Sequence, residues 1–396
     1  MRRRQVLTTV GAATTYGVVG CTGAVFEPAL TERWTIAFDQ RPTSPTVVDD
    51  TIYVTGGEDV IARAITPSGD EAWGFDLTER DSRGTSPTVV DDTLYVAASG
   101  SQSKPSVVVG IEADDGNEVW QFEMTASWIS SSPAVAGNRI YLASSDAFHG
   151  IDATTGIEQW RFEPPRGMSR SSAVVVDSTL YIGGGNETFY AIDIDSGEPT
   201  WTFHAEDVIN MLSPTYSDGI IFTGSADHCI YAIDAESGDT IWKYDTGSAV
   251  FMTPTVWHDI VYVGNQDGQL YALDARSGDE RWRTSDFDIP PLSTPTVVEG
   301  RLYAFNGRVD CVLSDLDAET GTIERELAIE GHPIGSSPVV VDGMLYVGTM
   351  IRKSHRDSFG LLYAIDVGTG GSSSDSRVML GTHGHHHGWT DEQPEV

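Results

Sequence analysis

The sequence predicts an all-β chain closed into an eight-bladed propeller, and three observations carry that prediction. A Ser/Thr-Pro-x-Val-Val segment returns with its proline at 45, 87, 133, 214, 254, 295 and 338, and Ala173 fills the remaining slot. Successive gaps are 42, 46, 40, 41, 40, 41 and 43 residues, a period that means stacked supersecondary units rather than separate domains. Each unit then breaks into short apolar runs bounded by turn residues. A tract Asp-x-x-Ser/Thr-Gly-x-x-x-Trp also recurs, as Asp152/Gly156/Trp160, Asp193/Gly197/Trp201, Asp234/Gly238/Trp242 and Asp274/Gly278/Trp282.

The unit is clearest in residues 213–242. A strand opens after Pro214, and Ser217-Asp218-Gly219 turns the chain into Ile220-Ile221-Phe222. A second strand pair follows, Ile230-Tyr231-Ala232-Ile233 and Thr240-Ile241-Trp242, joined through Glu236-Ser237-Gly238. Runs this short, β-branched and flanked by turn formers are strands, and four antiparallel strands per forty residues make a propeller blade.

Within the tract, Asp accepts backbone N–H bonds in the turn, Gly takes a positive φ, and Trp lays its face between neighbouring blades. Three units depart from it: Ile65 stands for Asp in the first, Glu112 in the second, and Arg325 for Trp in the seventh. Those blades are expected to pack less well. The eighth unit, Ser337 to Gly370, has no Trp strand, whereas Trp34-Thr35-Ile36-Ala37-Phe38 stands alone before the first unit. That segment is predicted to complete the last blade and remove a free sheet edge.

With Asp, Gly and Trp in these places, residues 34–370 resemble the pyrroloquinoline-quinone (PQQ) type repeats. These are found in quinoprotein dehydrogenases and in the lipoprotein of the bacterial outer-membrane β-barrel assembly machinery. For the enzymes, the resemblance implies a quinone held between a Trp floor and a disulfide of adjacent cysteines, with Ca²⁺ and an Asp base. This chain has no Cys-Cys pair and lacks long insertions, so no cofactor is expected; PQQ with calcium belongs to the alternative reading only. Cys229 and Cys311 fall in different units and read as buried small side chains.

Charge describes the medium. The chain has 58 Asp plus Glu against 24 Lys plus Arg, a net −34, and its lysines are Lys104, Lys243 and Lys353. Such a field repels nucleic acid and anionic lipid, and it resembles that of haloarchaeal proteins living in molar salt. An ordinary acidic secreted protein is the other reading.

Residues 1–21 read as a targeting segment, with a twin-arginine pair at Arg3-Arg4 and a lipobox-like Val18-Val19-Gly20-Cys21. The expected product is a lipoprotein anchored through Cys21 on the extracellular face of the cytoplasmic membrane, with residues 22–33 as linker. A flexible Gly/Ser- and His-rich tail is expected over 371–396. Its His383, His385, His386 and His387 can capture a divalent metal loosely.

Loops leading into the inner strands carry Trp128, Met168, Arg170, Met211, Phe251, Met252, Leu292 and Ile334. These large side chains around a funnel mouth either contact a partner or plug the channel. Met350–Asp357 reads as a loop insertion on the same face, bringing Arg352, Lys353 and Arg356 towards an acidic partner or a carboxylate. From Cys21 to Trp34 the chain reaches at most about 45 Å, and the funnel face is predicted to look away from the membrane. No Ser/His/Asp, phosphate-loop or zinc-hydrolase motif was found. The expected function is therefore a membrane-anchored, non-catalytic scaffold for other proteins. The alternative is a PQQ-dependent dehydrogenase oxidising an alcohol or sugar.

Overall fold

The computed structural model describes residues 29–370 apart from 57–59, 78–83, 101–104, 125–127, 130, 166–170, 210–212, 285–292, 307–310, 334, 353–357 and 369. Among them lie eight four-stranded antiparallel sheets. The inner strands are Thr46–Val48, Thr88–Val90, Ala134–Ala136, Val174–Val176, Thr215–Ser217, Thr255–Trp257, Thr296–Val298 and Val339–Val341. Each lies beside the next and the last beside the first, which makes the ring. In the third blade, Ala134–Ala136, Arg139–Ala143, Phe148–Asp152 and Glu158–Phe162 follow one another from axis to rim.

Closure follows the sequence prediction. The eighth sheet runs Val339–Val341, Met344–Arg352, Ser358–Asp366 and then Thr31–Phe38, with Thr31 opposite Asp366 and Phe38 opposite Gly360. The closing strand begins ahead of Trp34, inside the segment expected as linker.

Side chains alternate across each sheet, so both faces of every blade are apolar and each seam holds its own core. Eight buried clusters result, one per pair of neighbouring blades. The seam between blades five and six, for example, holds Phe222, Ile230, Trp242, Val261, Val263 and Tyr271. Cys229 and Cys311 are buried in two different seams. Burial raises their thiols to about 11 and about 12.

Two rings of hydrogen bonds tie the seams. Near the axis, the Oγ1 atoms of Thr46, Thr88, Thr215, Thr255 and Thr296 donate to the carbonyls of Pro87, Pro133, Pro254, Pro295 and Pro338 in the following blade. This is the work of the recurrent Ser/Thr-Pro-Thr segment. At the rim, Nε1 of Trp34, Trp73, Trp120, Trp160, Trp201, Trp242 and Trp282 donates to carbonyls of the next blade: Pro67, Ala113, Ala153, Ile194, Ala235, Ala275 and Ala318. Each indole also lies on the tract glycine of that blade. A Cβ at Gly278, whose φ is +74°, would come within 2.7 Å of the Trp242 ring.

Two expectations about the departures are corrected. In the first blade Ile65 pairs with Glu71 as Ile233 pairs with Thr240, so the Asp slot belongs to Thr66. Its turn is one residue shorter, and Thr66 Oγ1 accepts from the Asp70 N–H. In the seventh blade Arg325 stands opposite Asp315, where the fifth blade has Trp242 opposite Ala232. Asp315 is fully buried and pairs with Arg325 and, at 2.8 Å, with Arg301 Nε. A filled ionic seam replaces the loosened one expected.

Candidate protein-contact face

Hairpin geometry divides the loops between two faces. The turn after the inner strand and the tract turn share the lower face, where Asn138 Nδ2 donates to Asp152 Oδ2 at 3.0 Å. Lead-in loops and the turns between second and third strands share the upper face, where Ser145 N–H donates to the Trp128 carbonyl and Gln266 N–H to Ala249. Thr31 begins opposite Asp366, so the chain enters the propeller on the lower face.

The tract aspartates serve the lower turns. Oδ1 of Asp152, Asp193, Asp234, Asp274 and Asp317 accepts from the N–H and hydroxyl of the Ser or Thr three residues on. Such bonds favour the carboxylate. The Asp274 carboxyl, held first by Arg281 and then by these donors, is depressed to about 2. Among the described residues, no group of three or more His, Cys, Asp or Glu converges as a metal site would require.

On the upper face, three lead-in loops are each pinned by an aliphatic residue turned into a seam. Ile129, Ile209 and Val250 are 2%, 0% and 0% exposed. Neighbours in the chain then point outward: Trp128 is 53% exposed and Phe251 40%. Met252 is buried and packs, so it is not presented to solvent as the funnel picture supposed. The anchors escaped the sequence reading, although Ile129 beside Trp128 and Val250 beside Phe251 were there to be seen.

The predicted insertion in the eighth unit begins as strand. Met350, Ile351 and Arg352 pair with Gly360, Phe359 and Ser358, because an apolar run on each side lets the hairpin continue upward. His332 bridges Met350, so the neighbouring lead-in loop braces the hairpin. Arg352 is exposed near its tip. Arg170, Met211, Leu292, Lys353, Arg356 and the tail histidines His383, His385, His386 and His387 lie outside the described residues, as do Met168, Ile334 and Cys21.

Tested against a quinone site, the described residues do not fit. Cys229 and Cys311 sit in separate seams, and no three described His, Cys, Asp or Glu side chains converge to hold the accompanying metal.

The fold recurs in solved structures. BamB from Moraxella catarrhalis superposes with a TM-score of 0.67 at 19% identity, covering 85% of this chain and 98% of that one. The quinohemoprotein alcohol dehydrogenase of Comamonas testosteroni gives 0.64 at 15%, covering 86% and 76%. A computationally designed protein, Ika8, gives 0.69 at 15%, covering 84% and 99%. At these identities the likeness is one of fold. No curated protein matches the sequence significantly. Residues 57–202 and 149–374, together most of the chain, match the family described as outer membrane protein assembly factor BamB, and the chain belongs to that family.

Proposed function

We propose that this propeller is a non-catalytic scaffold that meets partner proteins with its upper face. Lipid on Cys21 would tether it to the extracellular side of the cytoplasmic membrane. The observation that carries the reading is the exposure of Trp128 and Phe251 on lead-in loops. The seven tryptophans of the rim ring are instead spent in seams. Large aromatic side chains held outward by buried neighbours are suited to be interface anchors. Because the chain enters on the lower face, a tether there leaves the upper face free. Family membership supports the same reading.

Photo-crosslinking from position 251 on intact cells tests it. Captured proteins should fall away in Trp128→Asp and Arg352→Glu variants that still fold. Crosslinks indifferent to both changes would reject the face. The second reading is the sequence's alternative, oxidation of an alcohol or sugar with PQQ; the fold is shared with a quinohemoprotein alcohol dehydrogenase, but the described residues supply no site for the quinone. Saturable quenching of Trp fluorescence by PQQ with Ca²⁺, together with dye-linked turnover, would establish it in place of the first.

A further inference from the structure

In blades four, five, six and eight the third strand carries a tyrosine one residue before its Ala, Tyr190, Tyr231, Tyr271 and Tyr363; in blade three that position is His149. Tyr231 reaches up to the turn of its own blade and donates its hydroxyl to Asp227 Oδ2 at 2.5 Å. His149 makes the corresponding connection through a relay. Its Nδ1 lies 2.6 Å from Glu158 Oε1 and its Nε2 2.8 Å from Ser144 Oγ. Ser144 Oγ is in turn 2.8 Å from Asp146 Oδ1, and Arg161 Nη2 donates to Asp146 Oδ2 at 2.7 Å. Imidazole and hydroxyl are both buried, at 2% and 3% exposure.

Ser, His and Glu in this order suggest a hydrolytic triad, but the surroundings contradict it. The Ser144 hydroxyl is closed off from solvent. The N–H groups of Asp146 and Ala147 point at Ser144 Oγ itself, so they form no oxyanion hole.

Counting protons gives a different role. With a neutral ring, Nδ1–H donates to Glu158, and the single Ser144 proton serves one of Nε2, Asp146 and, at 3.2 Å, the Ala147 carbonyl. With an imidazolium, both ring nitrogens donate and the Ser144 proton passes to Asp146, so its contacts with the ring and with Asp146 are hydrogen bonds at once. The turn that carries Ser144 is joined to the neighbouring lead-in loop: Ser144 bridges Ile129, and Ser145 N–H donates to the Trp128 carbonyl at 2.9 Å. The charged groups bearing on the ring are Glu158 and Arg161 from the outer strand and Asp146 from the turn. On the same side of the sheet, Ile151 packs in an apolar seam with Met124 and Ile129.

We propose that His149 is a proton-operated latch, whose protonation redirects the Ser144 hydroxyl from the ring to Asp146 and resets the turn that holds Trp128. Its regulatory meaning rests on reading Trp128 as a contact residue; the latch itself does not. Burial holds the imidazole below its ordinary value of 6.5, against the opposing pull of Glu158. Switching therefore falls on the acid side of that value.

Fluorine NMR of fluorotryptophan-labelled full-length protein tests the latch, with the Trp128 line assigned by its loss in Trp128→Phe. Between about pH 7.5 and about 4.5 the line should move along a one-proton curve. His149→Tyr, which installs the residue four other blades fold around, should flatten it, and so should Ser144→Ala, which cuts the relay. A line that stays still in the natural sequence, or that titrates unchanged in either variant, overturns the proposal. Crosslinking separates the two readings: a titrating line with no partner captured at this face keeps the latch and rejects the contact surface, and the opposite pattern does the reverse.

Discussion

Arg325 Nη2 donates to the carbonyl of Val367 at 3.0 Å, taking the hydrogen bond that an indole N–H makes at each of the other seven seams. The guanidinium thus replaces both functions of the missing tryptophan: it reaches the next blade, and it fills the space over its own third strand by pairing with Asp315. Alanine or glycine at the Asp315 position in other blades makes room for an indole. Here a carboxylate supplies charge to an arginine.

A buried ion pair is costly to break and often neutral to replace whole. Arg325→Ala should therefore destabilise by about 3–5 kcal/mol, since Asp315 would lose one of its two guanidinium partners. The double change Asp315→Ala with Arg325→Trp restores the arrangement of the other blades and should recover most of that loss. Urea unfolding of the single and double variants reads the difference. A double variant as unstable as Arg325→Ala would show that this seam is not interchangeable with the rest.

Gly219 and Gly278 separate backbone strain from crowding. Both have positive φ, +80° and +74°, but a Cβ at Gly219 meets nothing within 4 Å, whereas at Gly278 it meets the Trp242 ring. Gly219→Ala should cost about 1–2 kcal/mol, the penalty for an L-residue in the left-handed region. Gly278→Ala should cost a further 1–3 kcal/mol or so for overpacking. Equal losses in thermal unfolding would mean that the indole yields freely and is not clamped.

How much of this was legible in the sequence depends on what each feature needed. Blade count and closure needed only spacing, and Trp34 announced its place by being the one tract tryptophan without its own unit. The role of Arg325 needed register, because its partner Asp315 lies ten positions back and means nothing until Ala232 is seen to stand there in the fifth blade. Thr66 was missed because a turn shortened by one residue moves the alignment. On the upper face, composition marked loops rich in large side chains. Which of two adjacent residues turns inward is decided by packing: Val250 and Met252 are buried and Phe251 between them is not.

Trp34 closes the ring from outside the repeat. It bonds Pro67 in the first blade and packs beside Tyr346, 6.0 Å between ring centroids. Trp34→Ala should cost about 3 kcal/mol, at the low end for a large aromatic because the indole is only partly buried. A chain lacking residues 31–38 would expose the Ser358–Asp366 edge and should self-associate by edge pairing. Light scattering on the truncated protein decides this, and a stable monomer would mean that the closing strand is dispensable.

Acid should loosen the lower turns first. The Asp274 carboxyl lies at about 2 against an ordinary 3.8, chiefly because Arg281 Nη2 donates to it at 2.7 Å, with Ser277 and Arg276 N–H adding to the effect. Asp152 and Asp193 are lowered chiefly by the hydroxyls of Thr155 and Ser196, and Asp234 chiefly by the backbone N–H of Ser237. A depressed carboxyl binds its proton less readily folded than unfolded, so its stabilisation is complete above about pH 4 and drains away as the pH falls towards 2. Asp274→Asn, which cannot titrate, should flatten the decline of the urea midpoint across that window while lowering the midpoint at neutral pH. Arg281→Gln should shrink the decline and end it at a higher pH, because the folded-state carboxyl then returns towards its ordinary value. A decline as large in both variants as in the natural sequence would place the acid sensitivity elsewhere.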